Sequence, residues 1–228
     1  MWIWVIIFLP IVGSIAYIFL EMLRGKNVSG IDLSNIFQSK PSIKRLEENL
    51  RFSDTFNNRV MLADAYLESG MTERAIDLYE SSLTGAFEEN EYVHIQLVKA
   101  YYKTNQFDKV VCIAKKISSL PTFPRSRPHM LYAMALERVG QLDQAEKEFQ
   151  KMQSRFSFYE PRYEYGLFLI RHNRKKEAKD LYESMLAENS QLSPRERRSA
   201  APFLRLVREE LKKMEKVADE VPRTIVDG

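Results

Sequence analysis

The chain has 228 residues, of which 45% are apolar and 29% charged, and its net charge is +3. That supplies enough apolar material for a packed core and too little charge of one sign to point to nucleic acid. One cysteine excludes an internal disulfide framework and a multi-cysteine zinc site, and eight glycines leave little material for a glycine-rich phosphate loop.

Residues 2–20 read WIWVIIFLPIVGSIAYIFL and carry no charge. As a helix this run reaches roughly 30 Å, the depth of a bilayer's hydrocarbon core. Trp2 and Trp4 at one end and Tyr17 toward the other suit the interfacial belts, and Pro10 and Gly13 are tolerated in membrane helices. Residues 1–23 are therefore expected to be a transmembrane anchor. No basic residue precedes the run, which disfavours a cleaved signal peptide. Arg24, Lys26, Lys40, Lys44 and Arg45 follow it, so the positive-inside rule places the bulk of the chain in the cytoplasm. The expected location is a single-pass bacterial inner-membrane protein that touches lipid through this anchor.

Residues 24–40, rich in Ser, Gly and Asn, read as a flexible tether. Residues 41–55 begin at Pro41 and place Ile43, Leu46 and Leu50 on one helical face, as a capping helix requires. A recurrence follows over residues 56–190. Ala75, Val110, Ala145 and Ala178 are 35, 35 and 33 residues apart. Tyr79, Ala114, Phe149 and Tyr182 lie four residues after them. Tyr66, Tyr101, Leu136 and Leu169 lie nine before, and Ala63, Val98, Ala133 and Gly166 three further upstream. Gly70, Asn105, Gly140 and Asn173 share one position, and they are the residue types that best tolerate the left-handed turn ending a helix. Glu73, Asp108 and Asp143 then open the second helix, where an acid favours the helix dipole. The unit is a helical hairpin of about 34 residues that buries its apolar face only by stacking on its neighbours.

Residues 191–216 are expected to cap the other end, with Phe203, Leu204, Val207 and Leu211 facing inward and Pro202 splitting the stretch into two helical pieces. Residues 217–228 read as a frayed tail. The predicted fold class is all-α: a transmembrane helix followed by a helical-hairpin solenoid.

The four copies resemble the tetratricopeptide repeat, most clearly in Leu62-Ala63, Tyr66, Gly70, Ala75 and Tyr79, and again in Tyr132-Ala133, Gly140, Ala145 and Phe149. The resemblance implies a concave groove lined by the first helix of each hairpin. Its peptide-facing positions carry over to Asn57, Asp64 and Glu68; to Tyr92, Lys99, Tyr102 and Lys103; to Arg127, Met134, Glu137 and Arg138; and to Tyr163, Leu167 and Arg171. Cations with aromatics between them suit an extended peptide with acidic or C-terminal carboxylate groups.

The N-terminal run, through Trp4, Leu9-Pro10, Gly13 and Tyr17, resembles the membrane segment at the head of cardiolipin synthases and other phospholipase D-like proteins. Their chemistry needs His-x-Lys-x4-Asp. His94, His129 and His172 are followed two residues later by Gln96, Leu131 and Arg174, so none fits. No Gly-x-Ser-x-Gly, phosphate-loop or dinucleotide motif occurs, and no histidine pair has metal-ligand spacing. Cys112, between Val111 and Ile113, reads as a small buried residue. The expectation is a non-enzymatic scaffold without cofactor, metal or nucleic acid, which recruits a protein partner in envelope or membrane biogenesis. The alternative is a non-catalytic subunit or regulator of a phospholipid-synthesising enzyme, acting through the membrane segment.

Overall fold

The computed structural model describes residues 42–156 and 158–220, with side chains to Lys216. The backbone divides into two units, 1–45 and 46–228. The expected anchor and tether lie outside the described residues, as does the resemblance carried by residues 4–17. Among the described residues no helix is long and apolar enough to cross a membrane. Of the first unit only residues 42–45 are described; there Ser42 Oγ accepts from the Arg45 N–H and starts a helix.

Helix α1 (Ile43–Phe52) buries Leu46, with Leu50 half-buried beside it. Four hairpins follow: α2 (Phe56–Glu68) with α3 (Thr72–Ser82), α4 (Glu91–Lys103) with α5 (Phe107–Ile117), α6 (Arg127–Arg138) with α7 (Leu142–Lys151), and α8 (Tyr159–Arg171) with α9 (Lys175–Ala187). A long helix, α10 (Pro194–Glu220), closes the series. The two helices of each hairpin pack on one another, the second helix of each of the first three hairpins packs on the first helix of the next, α4 also packs on α6, and α8 and α9 pack on α10.

The recurrence in the sequence has a direct geometric basis. At the inner turn of each hairpin Gly70, Asn105, Gly140 and Asn173 have φ of 84°, 57°, 78° and 61°. The N–H of the following residue then reaches back five positions: Met71 to Tyr66, Gln106 to Tyr101, Gln141 to Leu136, and Arg174 to Leu169, at 2.8–2.9 Å. This closes an otherwise orphaned carbonyl at each helix end and fixes the reversal. The first helices start on side-chain caps: Thr55, Asn90 and Ser126 accept from the N–H groups of Asn58, Val93 and His129. The fourth starts instead on Phe158, a left-handed residue with no side-chain cap.

The small residues at the crossings, Ala63, Val98, Ala133, Ala75, Val110, Ala145 and Ala178, have no exposed surface, and neither do Tyr79, Phe149 and Tyr182. Small side chains let the helices approach, and the rings fill the space beside them. In the fourth hairpin the crossing is tightest. A Cβ at Gly166 would collide with the Tyr182 ring.

Two expectations are corrected. Pro202 does not divide the C-terminal stretch: α10 runs unbroken through it to Glu220. Pro202 leaves the Arg198 carbonyl without its usual donor. Ala200 on one side and Leu204 and Val207 on the other pack into the same cluster with Tyr182 and Met185 and hold a single rod. That rod begins with a capping box, in which the Ser193 N–H donates to Glu196 and the Glu196 N–H to Ser193 Oγ. Cys112 is exposed, not buried, because Val110, Val111, Ala114 and Ile117 take the inward face of α5.

Candidate functional site

The first helices of the second, third and fourth hairpins wall a cavity of about 720 Å³. Lys99, Tyr102 and Lys103 come from α4, Met130, Leu131 and Met134 from the middle of α6, and Glu164 from α8; Arg127 and Glu160 stand at the starts of α6 and α8. The sulfur of Met134 accepts from the Tyr102 hydroxyl at 3.8 Å, and the Tyr102 ring meets Phe107 edge-on at 5.5 Å. The floor of the cavity is therefore aromatic and thioether surface, and its rim is charged.

The rim charges differ in how they are answered. Arg127 pairs with Glu160 at 3.2 Å. Among the described residues Lys99 donates to neutral Gln96 alone, at 3.3 Å. Burial, with the nearby Arg127 charge, holds the Lys99 ammonium below its usual range. Burial, with Glu160 and Glu137 adding to it and Arg171 opposing, raises the Glu164 carboxyl above its usual range. Among the described residues no carboxylate pairs with Lys99 or Lys103, and no cation hydrogen-bonds Glu164.

Five of the expected groove residues, Lys99, Tyr102, Lys103, Arg127 and Met134, come together here. The others stand elsewhere on the same helices. Asn57 is exposed at the start of α2, with its amide on the Met61 sulfur. Asp64 accepts from the Tyr79 and Tyr92 hydroxyls, which ties α2 to α3 and α4; burial and that carboxylate push the Tyr92 hydroxyl up to about 12. Glu68 is exposed at the end of α2. Glu137 receives two hydrogen bonds from Arg171, at 2.8 and 2.6 Å, and a contact from His172. Burial would raise the Glu137 carboxyl, but Arg171 holds it below the usual range. Arg138 lies 5.6 Å over the Phe107 ring. Tyr163 stacks on Tyr182 at 5.9 Å and packs against the C-terminal cluster, and Leu167 is half-buried.

No protein-family model matches the sequence, and no curated protein does. Solved structures with the same fold are found. A crystal structure of MamA aligns over 65% of this chain and 87% of its own at 14% identity, with a TM-score of 0.56. MamA from Desulfovibrio magneticus RS-1 aligns over 66% and 86% at 18% identity, with a TM-score of 0.57. YrrB, described as a TPR protein with an unusual peptide-binding site, aligns over 75% and 91% at 16% identity, with a TM-score of 0.57. The fold is a tetratricopeptide-like solenoid.

Within that tetratricopeptide-like frame the cavity also uses residues outside the expected set: Leu67, Asn105, Met130, Leu131, Glu160 and Glu164. Glu160 had a signal. It stands 33 residues after Arg127, at the register position shared by Asn57, Tyr92 and Arg127. Glu164, at the position of Leu131, had none, because that position carries Met61 and Gln96 in the earlier repeats. Among the described residues no group of histidine, cysteine and carboxylate side chains could hold a metal ion.

Proposed function

We propose that this chain is a non-catalytic scaffold that captures an extended segment of a partner protein in the cavity between α4, α6 and α8. The observation that carries this reading is the cavity itself. It joins a Tyr102–Met130–Met134 floor, able to bury apolar side chains, to Lys99 and Lys103, two cations with no carboxylate partner among the described residues. A partner carboxylate would supply what those ammonium groups lack. The fold likeness to YrrB, whose description includes a peptide-binding site, supports the same use of this frame.

Around this core the reading assigns α1 to an N-terminal cap, the four hairpins to the repeat array, and α10 to the C-terminal cap. The uncharged run 2–20 is read as a single membrane anchor, with the array on the cytoplasmic side and the partner belonging to envelope or membrane biogenesis. Tethering would raise the partner's local concentration at the bilayer.

The test is crosslinking capture from membranes with the full chain and with a Lys99→Glu, Lys103→Glu variant. Unchanged helical circular dichroism would establish that the variant folds. Loss of the captured partner in the variant is expected. Equal recovery of the same partner by both chains would reject the groove as the capture site. An alkaline phosphatase fusion at Gly228 tests the topology: activity there would overturn cytoplasmic placement.

A further inference from the structure

The two sides of the cavity carry charges of opposite sign that make no ion pair among the described residues. On α4, Lys99 and Lys103 have no carboxylate partner among the described residues. Two helices away on α8, Glu164 lines the same cavity, half-buried, with no hydrogen-bond donor among them. The Arg171 charge acts on it only at a distance, without an ion pair. Arg127 is spent on Glu160, and Arg171 on Glu137. A purely acidic peptide would satisfy α4 and bring further negative charge toward Glu164. We propose that the occupant is a mixed-charge segment, with an acidic side chain held by Lys99 and Lys103 and a basic side chain held by Glu164, and apolar residues between them on Met130 and Met134.

The spacing follows from packing. α4 packs on α6 at the usual spacing of about 8–10 Å and α8 stands beyond α6, so α4 and α8 are separated by at least roughly 16–20 Å. An extended chain advances about 3.3 Å per residue, which puts the acid and the base about five to six residues or more apart. Lys99 and Glu164 are partly desolvated, and each bond made to them is charge-assisted. This inference rests on the groove reading above and specifies which peptide the groove takes.

The experiment uses an array of immobilised twelve-residue peptides in a Ser/Ala background with two central leucines. One set is neutral, one carries only Glu, one only Lys, and one carries Glu and Lys at separations of two to eight residues. It is probed with the full chain and with Glu164→Gln, Glu164→Lys and Lys99→Glu, Lys103→Glu variants, each checked by circular dichroism. The mixed set is expected to bind most tightly, with an optimum at about five to seven residues. Glu164→Gln should weaken the mixed set by roughly three- to tenfold without weakening the Glu-only set, which loses a repulsion. Glu164→Lys should shift preference to the Glu-only set, a gain that misfolding cannot mimic. If Glu-only peptides bind the native chain as well as mixed ones, or Glu164→Gln changes nothing, the mixed-charge proposal is overturned while the groove reading stands. If no set binds in a way that depends on Lys99 and Lys103, both are overturned.

Discussion

The Tyr182 ring occupies the volume that a side chain at residue 166 would need. Tyr182 is fully buried, and its hydroxyl donates to the Tyr163 carbonyl at 3.0 Å, so the ring has no free direction to move. Gly166 sits inside α8, where alanine would ordinarily gain about 1 kcal/mol in helix propensity. The collision outweighs that gain. Gly166→Ala is expected to destabilise the protein by about 1–3 kcal/mol, as overpacking does. Removing the ring with Tyr182→Leu alongside Gly166→Ala should make the pair far less than additive. Urea unfolding of the two single variants and the double variant measures this. Additive losses would show that the two positions do not meet.

Arg162 and Glu188 form an ion pair away from solvent, 4% and 3% exposed, with contacts of 2.8 and 3.0 Å. Glu188 also accepts from the Tyr159 hydroxyl and the Phe156 N–H. Arg162→Met leaves the carboxylate with only the looser Arg155 contact at 3.9 Å and its two hydrogen-bond donors and is expected to cost about 3 kcal/mol, while Arg162→Met with Glu188→Leu recovers most of it. Burial pushes the Glu188 carboxyl up, but Arg162 and the two other donors hold it below its ordinary value near 4.5. The pair's contribution is therefore present above about pH 4.5 and lost as the pH falls through the lower folded value. Chemical denaturation across pH 3–7 should show the advantage of the native chain over Glu188→Gln shrinking only at the acid end. A gap that is constant with pH would contradict this.

His129 is fixed as one neutral tautomer. Its Nδ1 accepts from the Arg125 N–H at 3.0 Å, which leaves Nε2 to donate to Glu148 at 2.8 Å. A proton at Nδ1 would face another donor. Burial lowers the imidazole below its ordinary value near 6.5, against the pull of Glu148. The unfolded chain then takes up the proton more readily than the folded one. Stability is full above about pH 6.5 and falls as the pH drops from there toward the folded value. His129→Gln should flatten the change in urea midpoint between pH 7.5 and 5.5; buried His94, lowered in the same direction, is present in both chains and cancels. Parallel curves for the two proteins would rule out His129 as the source.

The repeat was legible because the same steric demands recur at fixed positions. A left-handed corner accepts Gly70 or Asn105, and a close crossing accepts Ala75 or Ala145, whatever lies elsewhere in the hairpin. The site was legible only in part. Which groove-facing charges are available depends on pairing between hairpins, as in Arg127 with Glu160 and Arg171 with Glu137, and one sequence position says nothing about its partner's rotamer. Glu164 could not be singled out for the same reason. Cys112 and Pro202 failed differently. The apolar neighbours of Cys112 belong to other faces of α5, and the packing on both sides of Pro202 overrides its preference to break a helix.

Among the described residues the two ends of the stack are secured unequally. At the amino end α1 sinks Leu46 fully and adds the Glu47 carboxylate, held by Tyr66 and Arg74. At the carboxyl end a 27-residue rod, a capping box and the Arg162–Glu188 lock clamp the last hairpin. Because each hairpin leans only on those beside it, loosening travels as a front along the array and not all at once. The front starts from the amino side, so amide protons in α2 exchange before those in α8 and α9, and the wall holding Glu164 outlasts the wall holding Lys99.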